Sequence, residues 1–241
     1  MIKKINIMPV AGKGQRFINQ NYTIPKPFIK INNQYMFIKA AKSLPIAHQT
    51  FFIFMSSIKK KYNINKIINS NFKKKYSLFF LNKKSDGQAD TCYKLIKKLN
   101  LKDELFINAC DVSFAFDKRS FQNKKNNNDM VIFTTKSLAY HHKRANNYGW
   151  VYSSRREILI SCKQKVKNTK NQDIIIGAFY FKNMKIYLNI FKYLKKNRIK
   201  INNEYYIDQM FVVAQKLGYK IDKIKVKNYK SYGTPEEIKN N

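Results

Sequence analysis

The chain has 241 residues, enough for one sizeable core and a single α/β domain without a linker. Its 48 Lys and Arg against 14 Asp and Glu give a formal charge of +34, a balance that ordinarily points to nucleic acid or an anionic membrane. Here the lysines are spread over the whole length and most Tyr and Phe fall in apolar runs, which argues against a nucleic-acid face and for a solvated surface that attracts triphosphates. No apolar run approaches the length of a membrane span. Cys92, Cys110 and Cys162 are too few and too scattered for a zinc site and odd in number for a disulfide framework, so a reducing cytoplasm is the expected setting.

Apolar residues 5–10 read as a buried strand that opens directly into Ala11-Gly12-Lys13-Gly14-Gln15-Arg16. Two glycines let backbone amides approach a ligand, and successive N–H groups form an anion-binding concavity to which Lys13, Arg16 and Lys26 add charge. Lys26 stands between Pro25 and Pro27, which fix the local backbone. The pattern is not the dinucleotide fingerprint, because Phe17 stands where its third glycine belongs, nor a P-loop, which needs Gly-Lys-Ser/Thr at the helix start. It is not a signal peptide either: the apolar segment is short and holds Asn6 and Pro9.

Farther on, residues 28–31 predict a short strand, Asn32-Asn33 a turn, 36–44 a helix, 50–55 a strand, 59–70 a helix and 76–81 a strand. This alternation implies right-handed crossovers and a largely parallel sheet, with ligands at the carboxyl ends of the strands. Residues 82–90 form a polar loop around Gly87 that leads into a helix near 92–99. The apolar strand 104–109 delivers Asp111, whose carboxylate needs a partner; Mg²⁺ is the natural one, the alternative being that Asp111 caps the following loop. A polar stretch, 116–128, is expected to end in a mobile surface turn at 124–129. A strand at 130–135 follows, and His141-His142 read as loop residues because adjacent histidines share no face. Strands 148–152 and 157–162 pair across the turn 153–156, and 174–181 is a buried strand in which Gly177 would permit close approach of a substrate. A helix at 186–194 precedes a second one opening at 201–211, whose Glu204 and Asp208, four apart, share a face. The final strand is 220–226, after which Thr234, Pro235 and Glu237 form a helix start.

Taken together, Gly12-Lys13-Gly14-Gln15-Arg16, Pro25-Lys26-Pro27, Asp111, the strand around Gly177, Asn202-Asn203-Glu204-Tyr205-Tyr206 and the stretch from Tyr232 to Glu237 resemble the sugar-phosphate nucleotidylyltransferase family over nearly the whole chain. Met8 to Phe17, with Tyr22 to Pro27 and Ile201 to Tyr206, is similar more closely to a capsule-biosynthesis branch that includes a cytidylyltransferase acting on phosphorylated glutamine. The resemblance implies an α/β, Rossmann-like nucleotide-diphospho-sugar transferase fold, with a mixed, mostly parallel sheet flanked by helices. One domain, 1–241, would bind the nucleotide through 1–112 and the acceptor through 113–241. An NTP, with CTP favoured slightly over UTP or dTTP, would react with a phosphorylated small molecule to give pyrophosphate. Arg16 and Lys26 would neutralise the triphosphate, and Asp111 would hold Mg²⁺. Ala11, Gly12, Gly14, Gly87 and Gln88 would hold the nucleotide, Gln88 reading a pyrimidine edge. Lys163, or Lys165 in another register, would take the acceptor phosphate, with Gly177 and Glu204 beside the acceptor. Two positions depart from the family pattern: Cys162 stands in place of a glutamate, and Ser231 in place of a second metal-binding aspartate, which leaves Asp208 or Glu204 to supply that ligand. The readings that compete with this enzyme are a catalytically silent nucleotide-binding regulatory relative and a basic nucleic-acid-binding protein.

Overall fold

The computed structural model describes residues 1–12, 14–153, 158–162 and 172–239. Its elements run β1 (Lys4–Pro9), α1 (Gln15–Ile18), β2 (Lys30–Ile31), β3 (Gln34–Tyr35), α2 (Met36–Ala41), β4 (Gln49–Met55), α3 (Ile64–Asn71), β5 (Tyr76–Leu81), α4 (Gln88–Ile96), β6 (Glu104–Asn108) and β7 (Val112–Ala115). The second half continues with α5 (Lys118–Asn127), β8 (Met130–Lys136), α6 (Ala139–Lys143), β9 (Gly149–Ser153), β10 (Ile158–Cys162), β11 (Gln172–Phe181), α7 (Met184–Lys196), α8 (Ile207–Lys216), β12 (Ile221–Lys225), β13 (Lys227–Ser231) and α9 (Pro235–Lys239).

Nine strands make one twisted sheet in the order β10-β9-β11-β6-β1-β4-β5, with β8 on β11 and β12 on β8. β6, β1, β4 and β5 are parallel neighbours, as are β8 and β12, while β11 runs against β6, β8 and β9, and β10 against β9. Seven strands thus point one way and two the other: an α/β, Rossmann-like nucleotidyltransferase fold with a mixed, mostly parallel core sheet flanked by helices. Alternate side chains divide between its faces. Ile5, Ile7 and Ile53 pack under α4, α7 and α8, whereas Met8, Phe52 and Phe54 pack under α2 and α3 with Phe28 and Phe37. This second face carries many of the phenylalanines in edge-to-face pairs, such as Phe37 and Phe54 at 5.6 Å and 88°.

Several expectations are corrected here. Residues 26–28 form a 3-10 turn, leaving only two residues of strand at β2, because Pro25 and Pro27 lack the N–H groups a ladder needs. The helix expected at 59–70 is split into a 3-10 turn, Ser56–Lys60, and α3, which Asn63 caps by accepting from Lys66 N at 3.1 Å. The expected surface turn at 124–129 is mostly helix α5, capped by Asp117 and held by Lys125, whose buried ammonium meets Glu104 at 2.7 and 2.9 Å. His141 and His142 lie in α6, not in a loop. Glu204 and Asp208 do not share a helical face: Asn202 and Asn203, both at positive φ, reverse the chain, and α8 starts only at Ile207. β7 and β13 pair antiparallel as a separate ribbon that apolar patterning does not announce. The helix start at 234–237 is as expected, Thr234 Oγ1 accepting from Glu237 N at 3.2 Å. Of the turn expected at 153–156, Ser153 ends β9 and the rest lies outside the described residues, as does residue 157 of the strand expected after it.

Candidate active site

β1 leaves the sheet after Val10, whose N–H donates to Ile53 O at 2.7 Å, and Ala11, Gly12 and Gly14 follow at the carboxyl ends of the parallel strands. Gly14 has φ +68°, and a Cβ there would lie 2.6 Å from Lys26 Cβ. The missing side chain is what lets the proline-bracketed segment lie flat against the loop. Lys26 thereby reaches inward, where its ammonium pairs with Asp111 Oδ2 and donates to Gly233 O at 3.3 Å. Both side chains are mostly covered, at 15% and 23% exposure, so the pair is shielded from screening by salt. Asp111 is fixed in turn by its own backbone, its carbonyl accepting from Tyr232 N at 2.7 Å.

A second loop, after β5, closes the opposite side. Gly87 caps α4 at φ +98°, and a Cβ on it would meet Tyr205 O at 2.7 Å, Tyr205 N at 2.8 Å and Glu204 Cβ at 2.9 Å. Tyr205 N donates to Asp86 O at 2.7 Å while Tyr205 O accepts from Ala89 N at 3.0 Å, so the segment 201–206 grips the loop from both sides. Lys200 Nζ adds a bond to Asp86 Oδ2 at 2.8 Å, which lowers the carboxyl's pKa. Between the two loops is a cavity of about 590 Å³, lined by Gly12, Gly14, Lys26, Gly87, Gln88 and Asp111 among others. Cys110 also lines it; burial first, and then Asp111, push its thiol up to about 12, so it stays protonated and is no nucleophile.

The profile of the family described as "Nucleotidyl transferase" matches residues 5–225. The chain is a member of the nucleotidyl transferase family. Similar solved structures include a nucleoside-diphosphate-sugar pyrophosphorylase of Vibrio cholerae, 17% identical over 98% of both chains with a TM-score of 0.76. Others are the inositol-1-phosphate CTP transferase of T. maritima, 13% identical over 98% of this chain and 92% of that one with a TM-score of 0.72, and a UTP-bound UGPase of Acinetobacter baumannii, 15% identical over 100% and 92% with a TM-score of 0.71. At these identities the likeness is one of fold. No curated protein matches the sequence. The reaction common to this family is NTP-dependent nucleotidyl transfer to a phosphorylated acceptor.

Of the residues singled out in this nucleotidyl transferase, the structure brings Ala11, Gly12, Gly14, Lys26, Gly87, Gln88, Asp111 and Glu204 to the one cavity. Three others lie off its lining. Arg16 is exposed on α1, near enough to Tyr148 to act on its hydroxyl electrostatically. Gly177, at φ +83° in the bulge of β11, is approached by the protein itself: Ala109 N donates to Gly177 O at 2.9 Å, and a Cβ on Gly177 would sit 3.0 Å from the Ala109 methyl. Asp208 is buried against β9, its Oδ2 lying 2.8 Å from where a Gly149 Cβ would be. Lys13, Lys163 and Lys165 lie outside the described residues.

Residues that sequence reasoning missed complete the wall. A Cβ on Gly233 would stand 2.9 Å from Glu237 Oε2 and 3.6 Å from Asp111 Oδ2. Ser231 Oγ donates to Glu237 Oε2 at 2.9 Å, and Tyr148 OH to Oε1 at 3.2 Å. Only the Gly233-Thr234-Pro235 string could have suggested this wall, since Tyr148 comes to it from the segment before β9 and Glu237 from α9. Among the described residues no three His, Cys, Asp or Glu side chains converge as a metal cage. Asp111 and Glu204 nevertheless both reach the cavity, each with one oxygen engaged, by Lys26 and by Tyr206 OH at 2.9 Å respectively. That donor set fits Mg²⁺, which needs only one or two carboxylates alongside phosphate oxygens and water.

Proposed function

We propose that this nucleotidyl transferase joins an NTP, CTP in preference to UTP or dTTP, to a phosphorylated small acceptor such as a sugar 1-phosphate or phospho-amino compound. The observation that best supports this is the convergence of Ala11, Gly12 and Gly14, the Lys26–Asp111 pair and the Gly87–Gln88 turn on one cavity at the carboxyl ends of parallel strands. In the proposed reaction an acceptor phosphate oxygen attacks the α-phosphorus, the bond to the β-phosphate bridging oxygen breaks, and pyrophosphate leaves with the electron pair. Positioning and charge neutralisation dominate such chemistry. Amides of the 11–14 loop and Lys26 would hold the triphosphate, with Arg16 meeting its outer end from the exposed side of α1. Asp111, with Glu204 as the second carboxylate, would hold Mg²⁺, whose charge offsets that developing on the leaving pyrophosphate. Gln88 would face the base, and Lys163 the acceptor phosphate.

We assign the product to activated precursors of surface polysaccharide, capsule or lipopolysaccharide, on the strength of the sequence resemblance alone. The test is pyrophosphate release from CTP, UTP and dTTP with Mg²⁺ against a panel of sugar phosphates and phospho-amino compounds. Turnover is expected with at least one pairing and none without Mg²⁺. One observation favours the silent relative: Ser231 occupies the place of an aspartate and gives its hydroxyl to Glu237. Nucleotide binding without turnover across the whole panel would select that reading.

A further inference from the structure

β5 is an end of the sheet: among the described residues it pairs only with β4. Thr50 N donates to Lys75 O at 3.0 Å, which fixes the phase of that ladder. In a parallel pair, residues bonded to the neighbouring strand alternate with residues whose N–H and C=O point away from it. Positions 75, 77, 79 and 81 therefore turn their backbone groups to β4, while Tyr76, Leu78 and Phe80 turn theirs to the open edge. Residues 76–80 all remain partly exposed. The side chains of Leu78 and Phe80 lie on the α2–α3 side, where with Lys59, Lys60, Lys61 and Tyr62 they line a cavity of about 590 Å³ beside that edge. Lys59 Nζ stands 4.0 Å from the centroid of the Phe80 ring.

An edge of this kind is a template for another strand, and its charge selects which. The first acidic residue of the chain is Asp86, so all 14 Asp and Glu follow β5, and β4, α3 and β5 hold none. Lys59, Lys60 and Lys61 flank the edge, Lys73 and Lys75 lead into it and Lys83 leaves it; all are exposed, and among the described residues none forms a salt bridge. Pairing β5 with β5 of a second copy would set these lysines against themselves. A lipid surface or a nucleic acid would answer the charge but offer no strand to the N–H and C=O groups of Tyr76, Leu78 and Phe80. We propose that the β5 edge docks an extended, acidic segment of a partner protein, which adds to the sheet as a further strand. Its backbone would bond to Tyr76, Leu78 and Phe80, and alternate carboxylate side chains would enter the cavity beside Lys59, Lys60 and Lys61, so that the main chain supplies affinity and the lysines supply selection.

The experiment adds a peptide of about ten residues, alternating Glu and Val, to the ¹⁵N-labelled full-length protein at physiological ionic strength and follows amide hydrogen exchange. Binding is expected to slow exchange at the Tyr76, Leu78 and Phe80 amides. The same peptide N-methylated at every residue keeps its charge and side chains but has no N–H to give, and should bind about tenfold more weakly or worse. The triple variant Lys59→Gln, Lys60→Gln, Lys61→Gln should weaken the unmethylated peptide about tenfold, the combined strength of three exposed ion pairs. Equal affinity for the two peptides, unchanged exchange at the three amides in the bound protein, or binding indifferent to the triple variant overturns the proposal. A thymidine oligonucleotide and phosphatidylglycerol vesicles are titrated in parallel. If either binds more tightly than the peptide and loses that binding in the triple variant, the face belongs to a polyanion or a membrane and the strand-addition reading is overturned.

Discussion

Gly12 and Gly87 face the same cavity and are glycines for different reasons. At Gly87 the fold decides: φ is +98°, and the place a Cβ would take is already filled by the Tyr205 backbone. At Gly12 a Cβ would meet nothing within 4 Å among the described residues. Packing therefore requires one glycine and leaves the other unexplained, and the natural account of the second is a ligand brought close to the backbone. The difference teaches how to separate scaffold from site here: a position constrained by the chain reports on stability, and one constrained by nothing in the chain reports on binding.

The largest expected effect lies between the two loops, at Asp111, and tests whether the cavity is catalytic at all. Asp111→Asn keeps the shape and removes the charge, so pyrophosphate release should fall about a hundredfold or more while the protein stays folded. Retained specific activity with a much lower Tm would make Asp111 a structural partner of Lys26 and dissolve the comparison. Next is Lys26→Ala, which should weaken NTP affinity by roughly 1.5–3 kcal/mol whatever the acceptor, the scale of one charge-assisted hydrogen bond. Lys163→Ala should spare NTP binding and raise the acceptor KM by a similar factor. Calorimetric titration of both variants with NTP decides between these roles; equal losses would place Lys163 on the nucleotide side.

The glycines themselves then sharpen the comparison. Gly87→Ala forces a side chain into a backbone region that is nearly glycine-only and against Tyr205 O, so it should cost at least about 2 kcal/mol, or roughly 4–8 °C in Tm at this chain length. Gly12→Ala should change stability by less than about 0.5 kcal/mol, as an open site allows. It should still weaken NTP binding about tenfold, near 1.4 kcal/mol. Differential scanning calorimetry alongside NTP titration measures both. Similar Tm losses in the two variants would mean that Gly12 is also a packing glycine.

How much of this could be read before the structure follows the same division. β1, β4 and β6 announce themselves as apolar runs because they are largely buried, β5 as an apolar run that lies half-buried at the sheet's edge, and the loops after β1 and β5 hold Gly14 and Gly87, both at positive φ. α5 was hidden because it is anchored mainly by one buried Lys125–Glu104 pair and by Phe121, too few apolar positions to show a period. β13, Lys227–Ser231, alternates no apolar residues and is a strand only because β7 lies beside it. Asp111 could be seen to need a partner; that Lys26, 85 residues away, supplies it depends on the fold. Gly177 and Asp208 lie off the cavity's lining, Gly177 beside Ala109 and Asp208 beside Gly149, a placement that depends on the bulge in β11 and on the turn before α8 and that no local pattern announces.

The last expected effect, seen only as a pH dependence of stability, belongs to a residue remote from both glycines and serves as their control. His141 is buried and its pKa is lowered from 6.5 to about 4, first by burial and then by repulsion from His142. A neutral histidine in the folded state and an ordinary one in the unfolded chain mean that the unfolded chain binds more protons between those values. Its contribution is therefore fully present above pH 6.5, diminishes as pH falls through that value, and is lost progressively toward pH 4. The expected loss is roughly 1–3 kcal/mol, given about 1.36 kcal/mol per pKa unit. Urea unfolding from pH 7.5 to 4.5 in phosphate-free buffer, for the wild type and for His141→Asn, isolates this term, because the carboxylates titrate alike in both. The wild type should lose more stability than the variant over the interval, and parallel curves would show that His141 is readily protonated where it sits. The Gly12→Ala and Gly87→Ala variants should keep the wild-type slope, since neither glycine meets α6, so a change of slope in either would mean that α6 is coupled to the glycine loops.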